Sequence, residues 1–374
     1  MKKINLLDVI VVYTDGIATS ASSEPKQNLP FAARSKRTHY NNAYAYFLEM
    51  CEKNDLKAGF TTSADIIGGG RCSSFWVYQK NKWLKVQSEG YAKLIFDKFS
   101  PLNKVQKDRR ETLLSDVKIK TFNDSRLYSL FFDKNKTYEE LKMFTVPTVA
   151  MTSGSDDSID QKISSLKEMV LLHPHFKDFS KRFILKDRYG AGGNNIFCID
   201  DIDSRKQVKT ILAENKSIQF IFQPFLEFDT GYSYKEFSGF IDIRLIYLEG
   251  KIIQAYIRVA KKDEFRCNEH QGGTLEYIPL KDLPKKVLDL SAQIATLLDC
   301  NNTLYALDFV ISNNGNIYLI EGNTGPGLDW NLSRKKNEQM AKKLIRLIVE
   351  NLAEKIKLRR AHVLSLEVPL NPVM

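Results

Sequence analysis

Long hydrophobic runs, paired cysteines and histidines are scarce in this chain, and each shortage removes a class of function. The longest apolar stretches, residues 218–222 and 252–257, are strand-sized and fall well short of the ~18 consecutive apolar residues of a membrane-spanning helix. Met1-Lys2-Lys3 is followed by Ile4-Asn5-Leu6-Leu7-Asp8-Val9, which puts an acid where a signal peptide has its apolar stretch and reads as a first β-strand. The five cysteines, Cys51, Cys72, Cys198, Cys267 and Cys300, are odd in number, scattered and without a CxxC pair. Neither a disulfide framework nor a zinc site is expected, and a reducing cytoplasm is. Hydrophobic residues at 43% and charged residues at 27% exclude a disordered, collagen-like or coiled-coil chain. At 374 residues the chain exceeds one ordinary domain, so two or three domains sharing a cleft are expected.

The net charge of +10 is concentrated toward one end, where ten Lys/Arg stand against three Glu between Arg334 and Arg360. Met340, Leu344, Ile348, Leu352 and Ile356 recur there at helical spacing, so one face packs and basic residues cover the rest. The basic face is either a solvated terminal helix or the seat of an acidic partner. No aromatic stacking pattern accompanies the charges, so nucleic acid is not expected as a partner, nor is a membrane.

Residues 1–122 alternate strands and helices: a strand at 9–13, a helix at 42–52, and a hairpin of 74–78 with 83–86 about Lys80-Asn81-Lys82. An N-terminal α/β domain follows. Gly68-Gly69-Gly70 lacks both the GxGxxG spacing and the GK[ST] ending of a phosphate loop, and reads as a plain loop. After the polar stretch 103–120 a boundary is expected near Asn123. Beyond it lie a helical pattern through Ile159, Ile163, Leu166 and Val170 and then a strand-dominated region, with helices at 206–214 and 286–298.

The densest chemistry lies in residues 304–323. Asn314-Gly315, between two apolar runs, is the preferred sequence of a two-residue type I′ hairpin turn. With that turn Asn313 pairs with Asn316, and Asp308 faces Glu321. Directly opposed carboxylates repel, so a positive charge is expected between them. Strand alternation puts Asn323 on the same face, completing an all-oxygen set suited to Mg²⁺ carrying nucleotide phosphates. Further upstream, Phe183-Ile-Leu-Lys186 ends a buried strand on a lysine, just before Gly190-Ala-Gly192-Gly193. Such a lysine delivers a cation to a cleft, and the glycines form either a close-approach phosphate loop or a simple hairpin connection.

In this order the segments resemble the ATP-grasp superfamily, most closely its ribosomal-protein glutamate ligase and peptide ligase branch. The resemblance runs from Asp133 to about Trp330 and is carried by "FFDKNKTYEELKMFTVPT", "FILKDRYGAGGNN", "IFQPFLEF", "DIRLIYLEGKIIQAYIRVAKKDEFRCNEHQGG", "LYALDFV" and "YLIEGNTGPGLDW". It implies an α/β (α+β) ATP-grasp fold in which ATP sits between two β-rich subdomains. Those would be a lid-like part at about 145–226 and a catalytic part at about 227–360, behind a pre-ATP-grasp domain and before a tail at 361–374. Lys134 and Lys186 are implied as nucleotide lysines under the mobile loop Gly190, Gly192 and Gly193. Backbone groups around Gln223, Phe225 and Leu226 would read adenine, and Glu227 the ribose.

Asp308, Glu321 and Asn323 would hold Mg²⁺, or Mn²⁺. Arg258 is implied to steady the transferring phosphoryl and acyl oxygens, with Arg244 or Arg266 gripping a substrate carboxylate. Asn268 with the N–H groups of Gly272 and Gly273 would bind a carboxylate or oxyanion. Each arginine can equally form an ordinary salt bridge, and the Asn268 loop can be a simple turn. Two departures from the family pattern stand out: Asp187, where many members carry proline, and a longer span at 230–238 that could reshape the substrate entrance. The implied reaction joins a carboxylate to an amine of a small molecule or peptide through an acyl phosphate, with a macromolecular acceptor as an open option. The rivals are a kinase that stops at phosphoryl transfer and a nucleotide-binding protein without catalysis.

Overall fold

The computed structural model describes residues 4–366 except 25, 102, 152, 153, 301, 302 and 331–333. The chain divides into two compact units, Met1–Asn123 with Gly327–Met374, and Asp124–Pro326. In the first unit the strands β1 (Val9–Tyr13), β2 (Ala58–Thr62), β3 (Phe75–Gln79), β4 (Lys82–Val86), β5 (Leu94–Lys98) and β6 (Lys120–Thr121) form one sheet. Its order is β6-β5-β1-β2-β3-β4, parallel across the first four strands and antiparallel in the β3–β4 hairpin. Helix α1 (Tyr40–Lys53) connects β1 to β2. The β1 run Val-Ile-Val-Val is buried on both faces, as a central parallel strand requires. Helix α2 (Lys104–Leu113) lies within the polar stretch expected to mark a boundary, and the Asn103 side chain caps it by accepting from the Gln106 N–H. The expected first strand is split, with Asn5–Leu6 a separate short strand before β1.

The second unit opens with α3 (Ser125–Phe132) and α4 (Lys134–Leu141). A four-stranded antiparallel sheet follows, of order β7-β10-β8-β9. Its members are β7 (Val149–Ala150), β8 (Phe179–Asp187), β9 (Ile196–Ile199) and β10 (Phe220–Leu226). One face buries Phe183, Leu185, Ile199, Phe220 and Phe222 against Ile159, Ile163 and Leu166 of α5 (Asp156–Leu171) and Val208 of α6 (Ser204–Glu214).

A five-stranded antiparallel sheet completes the unit, in the order β13-β12-β11-β14-β15. Its strands are β11 (Ile241–Leu248), β12 (Lys251–Val259), β13 (Thr274–Tyr277), β14 (Leu304–Ile311) and β15 (Ile317–Asn323). On one face Ile243, Leu245, Ile257, Leu307 and Phe309 pack on Val287, Ile294 and Leu298 of α7 (Lys285–Leu298). The same apolar face takes Tyr232, Tyr234 and Phe237 from the extra span 230–238, and the Tyr234 hydroxyl donates to Asp282 at 3.0 Å. That insertion therefore thickens the core beside α7.

Asp178, 1% exposed, ties the start of β8 to the β14–β15 hairpin. Its carboxylate accepts from Asn314 Nδ2 at 2.8 Å, Asn316 Nδ2 at 2.9 Å and the Tyr318 hydroxyl at 2.7 Å. The last helix, α8 (Lys335–Leu366), buries Leu344, Ile345, Ile348, Val349, Leu352 and Ile356 and groups with the first unit. The expected tail is helical through Leu366, and 367–374 lie outside the described residues.

Candidate functional site

Glu321 does face Asp308, but by a different route from the one the turn sequence implies. Asn314 is not among the residues with positive φ, whereas Gly315 has φ of +82°, so the I′ turn, which needs both, does not form. Ser312 instead pairs across to Asn316, enclosing a three-residue loop. The register is then one residue off, with Ile311 opposite Ile317 and Phe309 opposite Leu319, until a bulge between Asp308 and Phe309 restores the Asp308–Glu321 pairing. Bulges of this kind re-aim side chains beside functional sites.

Asp308 takes counter-charges from the strands on the side of β14 away from Glu321. Arg244, opposite Asp308 on β11, grips both oxygens of its carboxylate, through Nε at 2.6 Å and through Nη2. Arg258, opposite Asp242, holds that carboxylate with two bonds of 2.8 Å and reaches Asp308 with a third of 2.7 Å. All four side chains are buried, Asp308 at 2% exposure. Burial alone would raise the Asp308 carboxyl, but two guanidiniums outweigh it and hold it below the usual carboxylate range. Asp242 has only Arg258 as a close partner, and burial keeps its carboxyl raised. A buried ionic tetrad of this sort gains little stability over apolar packing, so its presence points to chemistry on this face.

Lys186 and Lys134 converge beside Glu321. Lys186, near the end of β8, is 7% exposed. Burial, then the neighbouring Lys134, bring its ammonium down to about 8, with Glu321 opposing them. Lys134 is the first residue of α4, whose N-terminus Asp133 caps by accepting from the N–H groups of Asn135 and Lys136. Its Nζ lies 3.9 Å from Glu321 Oε1 and donates to the Gly190 carbonyl. Both lysines and Glu321 line one cleft with Phe131, Thr137, Tyr138, Thr145, Thr148, Gln223, Ile320 and Gly322. Gly322 is required here because a β-carbon would run into the Phe131 ring. Gly322→Ala is expected to destabilise the protein by about 1–3 kcal/mol, the usual cost of overpacking, which thermal melting would register.

Of the hinge residues, Gln223 alone lines this cleft, and its Nε2 donates to Thr148 Oγ1 at 2.6 Å. The Phe225 ring packs edge-on against Phe240 and Phe265 beneath the Arg182 guanidinium. Leu226 joins a core cluster with Val146 and Tyr318. Glu227 binds through its backbone, donating to the Asp178 carbonyl and accepting from the Asn313 N–H. Asn323 Oδ1 accepts from the Gly325 N–H at 2.7 Å, so of the proposed metal set only Glu321 opens into the cleft. Among the described residues no cluster of three or more His, Cys, Asp or Glu side chains forms a metal cage.

The glycine loop is clasped at its tip. Arg266 donates to the Gly193 carbonyl at 3.2 Å while paired with Glu264 at 2.6 Å, and Gln271 Nε2 donates to the Gly192 carbonyl and to Asn194. Asn268 begins the short turn Glu269–Gln271; its carbonyl accepts from the Gln271 and Gly273 N–H groups. A β-carbon at Gly193 would stand 2.7 Å from Asn268 Oδ1. Gly272, at φ of +90°, ends that turn, and at Gly273 a β-carbon would overlap the Cys267 carbonyl. The loop pair Gly190–Gly193 and Arg266–Gly273 thus meets as predicted residues brought together. Sequence reasoning missed Tyr138, Thr145, Thr148 and Ile320 as cleft walls; the Val146-Pro147-Thr148 triplet after α4 was the available signal.

Comparison with known proteins places the fold in a family. The RimK-like ATP-grasp domain matches residues 155–348. A probable alpha-L-glutamate ligase of Marinomonas sp. is 30% identical over 132 residues, covering 34% of this chain and 42% of that protein. One of Aliivibrio salmonicida is 25% identical over 225 residues, covering 59% and 72%. The chain spans about half the length of several curated relatives it matches. D-alanyl-alanine synthetase A from Vibrio cholerae superposes with a TM-score of 0.57 at 13% identity, over 92% of this chain and 98% of that one. D-cycloserine synthetase gives 0.54 at 16% identity, over 93% and 99%. These likenesses establish the ATP-grasp fold, and with the domain match covering more than half of its length, the chain belongs to the RimK-like ATP-grasp family.

Proposed function

We propose that this protein is an ATP-dependent carboxylate–amine ligase that activates a carboxylate as an acyl phosphate and releases ADP and phosphate as the amide forms. The observation that carries this reading is the convergence of Lys134, Lys186 and Glu321 on one cleft, with the Arg258–Asp308–Arg244 network in the adjoining sheet positions. Phosphoryl transfer rests on positioning and charge neutralisation more than on covalent chemistry. Lys134 and Lys186 hold the phosphates, Lys134 exchanging the Gly190 carbonyl for phosphate oxygen. Glu321, with Asp308 and Asn323, offers only oxygen donors, which suit Mg²⁺ or Mn²⁺ retaining water and phosphate ligands. When bound, the ion neutralises phosphate charge. Asp308 keeps one lone pair on Oδ1 for this, Oδ2 being taken by two guanidinium donors.

Arg258 Nη1 makes none of the tetrad bonds and is the donor proposed for the transferring phosphoryl and acyl oxygens. Arg244 steadies Asp308, while Arg266 and the Asn268–Gly273 loop take the substrate carboxylate. The named ligases among the relatives support amino-acid or peptide substrates. The five free cysteines support a cytoplasmic setting, and no described helix is long and apolar enough to cross a membrane.

The test is phosphate release from Mg-ATP with pooled amino acids and short peptides, products being weighed by mass spectrometry. ADP formation coupled to a condensed product is expected; a stable phosphoester would instead establish a kinase. A pH dependence follows from Lys186. Phosphate needs the protonated ammonium, so nucleotide affinity is expected to fall as pH rises through about 8. Stability moves the other way. Between about 8 and the ordinary lysine value of 10.5 the unfolded chain binds more protons, so folding is favoured as pH rises. Titrating ATP affinity and melting temperature from pH 7 to 10 should give slopes of opposite sign.

A further inference from the structure

We propose that Arg188, which no implied catalytic role uses, is a positioning residue that locks the root of the glycine loop to the N-terminus of α4, so that Lys134 and the loop meet the nucleotide phosphates as one body. The inference rests on the ligase reading of the same cleft.

Four contacts join the two segments. The Arg188 guanidinium grips both oxygens of Asp133 through Nε and Nη2, each at 2.6 Å. The Lys134 N–H donates to the Arg188 carbonyl at 3.1 Å. The Tyr189 ring stacks on Phe132, which stacks in turn on Tyr128, at centroid separations of 5.3 Å. Lys134 Nζ then reaches the Gly190 carbonyl. The residue pairs 132–133 and 188–189 are thus zipped side by side, immediately before the lysine on one segment and the first glycine on the other.

Asp133 has two tasks in this arrangement. It caps α4 and receives the arginine fork, and although burial opposes it, Arg188 and the two backbone N–H groups hold its carboxyl below the usual range. Side chains at 17% and 25% exposure are too accessible for the pair to matter much to global stability. Its geometry matters more: a planar two-bond fork fixes direction as well as distance, which a lysine point charge does not. The tip contacts of the loop, from Arg266 and Gln271, must open to admit phosphates, whereas the root has no need to move. A fixed root keeps the Lys134 ammonium and the glycine loop in one mutual placement, with Lys134 Nζ on the Gly190 carbonyl, and preorganisation of this kind is how binding groups gain affinity.

Calorimetric titration of ATP and of adenosine, in Mg²⁺, into wild-type protein and into Arg188→Ala, Arg188→Lys and Asp133→Asn tests the idea. Asparagine is as good a helix cap as aspartate, so Asp133→Asn removes the ion pair while keeping α4, and remains informative even if Arg188→Ala folds poorly. The expected result is ATP affinity weakened about tenfold or more in all three, adenosine affinity within twofold of wild type, and incomplete rescue by lysine. ATP affinity unchanged in Arg188→Ala and Asp133→Asn, or ATP and adenosine weakened alike, would overturn the inference and leave the ligase reading standing. Wild-type protein that binds no ATP would overturn both.

Discussion

Arg258→Met is expected to destabilise the protein by about 3–5 kcal/mol, because it leaves a buried carboxylate without its counter-charge. For a unit the size of Asp124–Pro326 that corresponds to a fall of roughly 10 °C in Tm. Asp242 loses both of its 2.8 Å bonds, while Asp308 keeps Arg244, so the penalty falls on Asp242. Its carboxyl, already raised by burial, rises further. A carboxyl with a folded pKa above the unfolded 3.8 costs stability as pH climbs past that value, and the cost is relieved as pH returns toward 4. The deficit against wild type should therefore be large at pH 7 and shrink at pH 4 to 5. Adding Asp242→Asn should recover much of it at neutral pH. Melting curves followed by circular dichroism measure both, and a deficit independent of pH that Asp242→Asn does not relieve would show that packing, not charge, holds Arg258 in place.

Three strands away, on β15, the opposite outcome is expected. Glu321→Ala should leave Tm within about 1 °C of wild type, because the side chain is 25% exposed and its ion pair with Lys134 spans 3.9 Å, and such partly exposed pairs contribute little. Turnover should nevertheless fall by about 10²–10³, the range found when a preorganised charge-stabilising group is removed from a transition state. Phosphate release at saturating Mg-ATP, measured beside a melt of the same sample, separates the two effects. Activity retained within tenfold would remove Glu321 from the proposed cation site. Activity lost together with several degrees of Tm would assign it a structural role. Asp308 and Glu321 are neighbours in register, yet one is enclosed by guanidiniums and the other lines the cleft, so substitution at Glu321 leaves the buried ionic network intact.

Four strands of the five-stranded sheet, β11, β12, β14 and β15, were legible because their apolar runs are bounded by polar residues, and the helices α5 and α7 because buried residues recur at helical spacing; the short edge strand β13 carries no such run. The lysines, the glycine loop and the Asp308–Glu321 pair could be read as motifs, since the backbone approach and charge each supplies are local properties. Turn type was not legible. Lys80 and Asn81 both take positive φ in a two-residue connection between Gln79 and Lys82, whereas Asn314-Gly315, the better I′ sequence, does not. At the second site Asp178 draws Asn314, Asn316 and Tyr318 toward β8, and these tertiary bonds outweigh a turn preference.

By itself the sequence determined which residue types are available and in what order: two lysines before glycine or helix, an acidic strand pair, a basic final helix. Tertiary structure decided their partners. Arginines separated by strand connections become the counter-charges of Asp308 because sheet register sets Arg244 opposite it and Arg258 opposite Asp242, within reach. Tyr138, Thr145 and Thr148 become cleft walls because the segment after α4 runs beside β15, with Phe144 accepting from the Leu319 N–H. The span 230–238 lies against the core because its aromatic rings find the apolar face of the sheet. Burial and pairing depend on what lies opposite in space, and one-dimensional spacing carries that information only within a single element or turn.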